Sequence, residues 1–210
     1  MRRWSEWVVV FVGGPLAVRW WVPPAWWPYL LAAVALPALV AGGRRPRAAW
    51  RHWLGPLRTL ERAWLGPMLV RFGVCTAALL AAIAWLLPER LFDLPQRHTT
   101  LWAVLLVSYP IFSVYPQELI YRHFYRLRYR ALFAGRDGWI ASSALAFAWL
   151  HIVFDNVLAV ALTLIGGWFF SQTYRASGSL RLVVLEHSLY GAVIFTIGTG
   201  QFFHSAFQSF

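Results

Sequence analysis

The chain has 210 residues, of which 60% are hydrophobic and 13% charged, and its mean hydropathy is +0.54. Soluble domains carry about 25% charged residues. A soluble globule of this length leaves about a quarter or more of its unfolded-chain surface in water, so this composition excludes one and defines a polytopic membrane protein. The formal charge of +11 comes from 19 basic and 8 acidic residues, and every basic residue is arginine. These arginines sit in short loops between apolar runs, where they meet anionic lipid; nucleic acid is not expected as a partner. The single cysteine, Cys75, lies within an apolar run, which leaves no disulfide framework and no thiolate metal site.

A span needs about 20 mostly apolar residues. Charge-poor runs predict helices at Trp7–Val18, Trp20–Gly43, Phe72–Pro88, Thr99–Gln117, Gly138–Phe154, Asn156–Tyr174 and Leu182–Phe203. The first is the shortest and is interrupted by Gly13, Gly14 and Pro15, so it reads as an uncleaved span or a re-entrant helix. Residues 44–71 carry seven arginines against Glu61 alone, and residues 122–137 are again arginine-rich, whereas 88–97 is balanced. That alternation orients about seven spans with a cytoplasmic N-terminus. Within 44–70, Trp50, Trp53, Leu57, Leu60 and Trp64 interleave with arginines. This is the pattern of a basic amphipathic helix lying in the headgroup plane. The expected fold class is an all-α transmembrane bundle. It divides into N-terminal spans (1–98) and a core (99–205) that holds the candidate chemistry.

Titratable groups inside a bilayer are costly and therefore candidates for function. Three clusters qualify. In the first, Gln117 and Glu118 precede Arg122, with Glu118 and Arg122 four apart and so on one helical face. In the second, Phe147 stands one turn before His151; in the third, Glu186 adjoins His187. Each has a plain structural reading: an ion pair that packs two helices, a hydrogen-bonded core histidine, a helix-start charge. Together they place a carboxylate and two histidines on three spans. Such a set can hydrolyse a bond, with a carboxylate as base, one histidine sharing the water and another stabilising an oxyanion. Two histidines and a glutamate also match a catalytic zinc set. The helical H-E-x-x-H pattern is missing, which makes zinc second choice and no cofactor the expectation. At about 1.5 Å per residue, His187 lies about 9 Å from Arg181 and His151 about 20 Å from Gly138.

The three blocks resemble the CAAX-protease and bacteriocin-processing family of intramembrane endopeptidases, whose motifs read EExxxR, FxxxH and HxxxN or HxxxD. Here they read Gln117-Glu118-x-x-x-Arg122, Phe147-x-x-x-His151 and His187-x-x-x-Gly191. The resemblance covers about residues 100–205. It implies a helical bundle that cleaves peptide bonds near the cytoplasmic face of, in bacteria, the cytoplasmic membrane. Its substrate is then a membrane-associated peptide or protein, lipidated in eukaryotic members. It gives His151 a share in the water and His187 the oxyanion. Two positions depart from the pattern. Gln117 replaces the water-activating glutamate, leaving Glu118 as the motif's carboxylate, and Gly191 replaces the amide of the third motif, for which Asn156 is a substitute in type. The implied activity is a metal-free glutamate-type endopeptidase; the alternative is an inactive member that serves as a peptide- or lipid-binding membrane scaffold.

Topology is directly testable. Reporter fusions after residue 95 are expected to read as outside, and fusions near residues 60 and 134 as cytoplasmic. A cytoplasmic reading at residue 95 inverts the orientation.

Overall fold

The computed structural model describes residues 2–27, 29–31, 33–35, 56–135 and 137–200. Every regular element among them is helical. Arg2–Val8, a π-helical turn Val9–Gly13 and Gly14–Trp21 run on as one helix, α1 (2–21). The π turn ends two residues before Pro15, whose missing N–H leaves one intrahelical bond unmade in any register. Three helices are long and apolar enough to cross a membrane: α2 (Thr59–Leu86), α3 (Thr99–Leu132) and, later in the chain, Val157–Ser177. Between them lies the shorter α4 (Gly138–Leu150), which tightens into the 3₁₀ turn His151–Phe154. Val157–Ser177 is α5, and α6 (Leu180–Thr196) completes the bundle.

Two helices are longer than their charge-free runs. α2 begins at Thr59 rather than near Phe72, because its charged residues are matched by partners on other helices. Glu61 caps the helix start by accepting from the Arg58 backbone N–H at 2.7 Å, and it takes two hydrogen bonds from Arg181, at 3.0 and 2.6 Å. Directly before the apolar run, Arg71 pairs with Glu186 at 2.5 Å and donates to Thr173 at 2.9 Å. Of the expected interfacial segment, 44–55 lies outside the described residues, and from Thr59 onward the chain is already part of α2. In the same way α3 continues past Gln117 through Glu118 and Arg122 to Leu132, 34 residues in all. At about 1.5 Å per residue it is about 50 Å long, more than the roughly 30 Å of a hydrocarbon core. Of the expected span Trp20–Gly43, residues 36–43 lie outside the description, as do residues 201–203 of the last span.

The length of α3 is used in two ways. Its first half presents Leu101, Val104, Val107, Ile111 and Phe112 outward, while from Val114 to Tyr125 it is almost wholly enclosed. α1 covers one side of the enclosed half. Phe11 packs edge-on against Tyr121, Tyr125 and Tyr129, with ring centroids 5.4, 5.1 and 5.5 Å away. Glu6 accepts two bonds from Arg128, at 2.9 and 2.6 Å, and one from the Tyr129 hydroxyl at 2.6 Å. At its other end α1 is held by an ion pair between Arg19 and Asp155. On the opposite side α4 and α5 approach closely because residue 167 is glycine. A Cβ there would stand 3.1 Å from the Phe147 ring and 3.2 Å from the Ala144 Cα. α5 ends in Gly178, whose φ of +60° suits only a left-handed cap, and Ser179 starts α6 by accepting from the Leu182 N–H. That short turn places Arg181 against Glu61 of α2.

Glu61 is therefore the pin between α2 and α6. Glu61→Ala leaves Arg181 buried without its counter-charge, and removing one partner of such a pair costs about 3–5 kcal/mol. The expected result is a clearly lower unfolding midpoint in detergent, whereas Glu89→Ala, at an exposed position, leaves the midpoint unchanged.

Candidate active site

The first and third motifs meet. Glu118, on α3, is fully buried and its two oxygens are divided. Oε1 accepts from His187 Nδ1 of α6 at 2.7 Å, and Oε2 faces Arg122 Nε at 3.1 Å as an ion pair. The i, i+4 spacing of Glu118 and Arg122 survives although the chain between them, Leu119–Phe124, is a π-helical stretch. Such local widening of the helix is frequent at functional sites.

Arg122 is also fully buried. It donates through Nη1 to Ser143 Oγ of α4 at 3.0 Å, and Ser143 donates in turn to the Tyr121 carbonyl at 2.6 Å. The face of its guanidinium is covered by aromatic rings, Phe147 at 4.9 Å and Phe170 at 5.7 Å from centroid to carbon. A charge placed over rings in this way is attracted by their quadrupole and shielded from lipid.

His187 is held on both ring nitrogens. With Nδ1 donating to the Glu118 carboxylate, Nε2 is the acceptor, and the Tyr109 hydroxyl of α3 donates to it at 3.0 Å. The ring lies nearly parallel to Phe170, 4.5 Å away at 20°, and edge-on to Phe147 at 5.6 Å. His151 is set in a matching way. Its Nδ1 donates to the Phe147 carbonyl at 2.8 Å, so Nε2 carries the lone pair of the neutral ring.

Phe147 bridges the difference in depth along the two helices. It stands one turn nearer the start of α4 than His151, packs against that ring at 4.7 Å, and reaches His187 and Tyr121 at 5.6 and 5.4 Å. Glu118 thus joins Arg122 by an ion pair and His187 by a hydrogen bond in one chain, and His151 approaches it across a single aromatic ring. Gln117 is buried beside Glu118 but turned into its own helix, its amide donating to Ser113 Oγ at 2.7 Å. Its Oε1 makes no hydrogen bond among the described residues. Glu186 belongs to a different pair, with Arg71. Asn156 is committed elsewhere, its side-chain oxygen capping α5 through the Leu158 and Ala159 N–H groups.

Sequence reasoning passed over Tyr109 and Ser143. The signal for Tyr109 is a phenol in the middle of an apolar run, since a buried hydroxyl finds a partner. Ser143 gives no such signal, because serine is common at helix–helix contacts in membranes. Among the described residues, no three His, Cys, Asp or Glu side chains are arranged to hold a metal ion.

A bundle of apolar helices closed around a carboxylate, its guanidinium and two oriented histidines defines a helical membrane protein with a polar site in its interior. Residues 98–193, which contain all three motifs, match the family model described as Rce1-like, type II CAAX prenyl endopeptidase. This segment is thus similar to a family of CAAX-type membrane endopeptidases. No curated protein and no solved structure matches the chain.

Breaking the central pair has a measurable cost. Arg122→Gln leaves Glu118 buried without a counter-charge and is expected to lower stability by about 3–5 kcal/mol. Removing both charges, in Arg122→Gln with Glu118→Gln, is expected to recover most of that loss. Unfolding of the single and double variants in detergent reads the coupling directly.

Proposed function

We propose that the chain is an intramembrane endopeptidase that cleaves a membrane-associated peptide or protein near the cytoplasmic face. In this reading its two histidines activate water without a metal, and the host membrane is the cytoplasmic membrane of a bacterium. The observation that carries the reading is the 2.7 Å hydrogen bond from His187 to Glu118. A carboxylate behind Nδ1 fixes the tautomer of a basic histidine and offsets the charge that the ring gains with a proton. Both oxygens of Glu118 are engaged, so the base in contact with water is the ring in front of it. Glu118 and Arg122 are then positioning residues. Gln117, whose amide is turned to Ser113, takes no part in this step.

The chemistry follows from these roles. A water held by His151 and His187 forms a bond from its oxygen to the substrate's carbonyl carbon, and the C=O electron pair moves onto the carbonyl oxygen. The water's proton passes to His187 Nε2, while His151 Nε2 accepts a hydrogen bond from its remaining O–H. When the tetrahedral species collapses, C=O re-forms, the C–N bond breaks, and His187 returns the proton to the departing nitrogen. One water is consumed, and an acid and an amine are released.

Mass spectrometry of membrane proteomes tests the reading. New peptide termini are expected in cells that express the wild type and not in cells that express His151→Ala. His187→Ala is expected to slow their appearance about 100- to 10,000-fold, the range for a lost general base. A chelator is expected to leave the rate unchanged; loss on chelation and recovery with zinc overturns the metal-free mechanism. Identical termini in wild type and His151→Ala overturn the endopeptidase reading in favour of a membrane scaffold.

A further inference from the structure

We propose that Tyr109 is a catalytic residue of this site: its hydroxyl donates a hydrogen bond to the carbonyl oxygen as charge develops there, from the space that a side chain at position 191 would fill. The proposal rests on the endopeptidase reading above and adds to it the group that completes the site.

The first observation is steric. A Cβ built on Gly191 would stand 2.2 Å from Tyr109 Cε1, 2.9 Å from Cδ1 and 3.0 Å from Cζ. The phenol ring of α3 thus occupies the volume into which residue 191 would otherwise project. Position 191 is four residues after His187, on the same face of α6. A group in that volume stands beside the His187 ring, and the Tyr109 hydroxyl is indeed 3.0 Å from Nε2. Glycine at 191 and tyrosine at 109 are therefore one feature: the first empties the space and the second fills it with a hydrogen-bond donor.

The second observation concerns precision. The ring is held edge-on by Phe195 at 5.0 Å and by His187 at 5.9 Å. Tyr109 also immediately precedes Pro110, where the π-helical turn Pro110–Val114 begins. A donor fixed in this way needs no reorganisation at the moment of reaction, which is what makes an oxyanion donor effective.

The third observation is the donor's own inventory. A phenol has one proton to give. With Nε2 as acceptor at rest, that proton lies on the His187 side. Nε2 has a single lone pair, so the phenol proton leaves it before the attacking water's proton arrives: rotation about the C–O bond alone turns the phenol proton toward the substrate's oxygen and frees Nε2 to act as the base. The interaction is made where charge appears, so it favours the transition state over the bound substrate.

The test uses full-length protein in liposomes and a quenched fluorescent peptide spanning a site found by the proteomic experiment. Tyr109→Phe keeps the ring and its packing. It is expected to lower kcat about 100- to 1000-fold, the effect of losing one oxyanion donor, with KM unchanged. Gly191→Ala drives a methyl group into the ring and is expected to lower kcat as well. Tyr109→Ala opens the volume, and Tyr109→Ala combined with Gly191→Asn places an amide donor in it, so the double variant is expected to be faster than Tyr109→Ala alone. Wild-type kcat in Tyr109→Phe, or an effect confined to KM, overturns the assignment and leaves the endopeptidase reading standing. A wild type that releases no new termini overturns both.

Discussion

Arg122 is the constraint around which the bundle is built. A guanidinium with no exposed surface in an apolar bundle has to be neutralised, hydrogen-bonded and covered at once, because an uncompensated ion there costs several kcal/mol or more. Glu118 supplies the charge, Ser143 of α4 accepts a hydrogen bond, and Phe147 and Phe170 close the faces. Those four partners come from α3, α4 and α5, so satisfying one arginine fixes the approach of three helices. His187 of α6 then completes Glu118 and brings in the fourth. The residues that make the site and those that specify the packing of the core are the same residues.

The same logic operates at the periphery, where it contributes to the fold alone. Glu61 with Arg181 and Arg58, Arg71 with Glu186, and Glu6 with Arg128 each tie two helices together through a charge that a bilayer would reject. Arg71 shows the principle in detail: it lies over the Phe169 ring at 4.5 Å while its nitrogens reach Gln172, Thr173 and Glu186. In water, ion pairs of this kind contribute little. Here an alternative helix packing would leave the charge unmatched, and that is a reason for the pairs to specify the arrangement.

This also explains which parts of the structure were legible in the sequence. The helical class and the positions of α4, α5 and α6 follow from apolar runs alone, and the membrane assignment follows from composition. The starts and ends of α2 and α3 did not, because a rule that ends a span at a charged residue fails where that residue is matched on a neighbouring helix, as Arg71 and Glu118 are. The site was legible as residue types on three spans, and the pairing of Glu118 with Arg122 could be read from their spacing. What the spacing could not give was the contact of Glu118 with His187, which depends on how α3 and α6 cross. Nor could it give the direction of Gln117, which hydrogen-bonds to Ser113 one turn back along its own helix.

Gly191 shows how a motif position can mislead when it is read alone. Along the chain, glycine where an amide is expected looks like a lost function. Across the bundle it is half of a complementary pair, because the missing side chain is what admits the Tyr109 ring against α6. A site assembled from several helices is defined by volume and hydrogen-bonding capacity rather than by any one side chain, so a donor can be supplied by whichever helix faces the gap. The aromatic enclosure makes such an exchange effective. Phe147, Phe170 and Phe195 pack around His187 and Tyr109, and hydrogen bonds and charges act more strongly in a poorly solvated interior than in water. Few polar groups are then needed, provided that each is held in place, and in this bundle the aromatic rings that exclude solvent also do the holding.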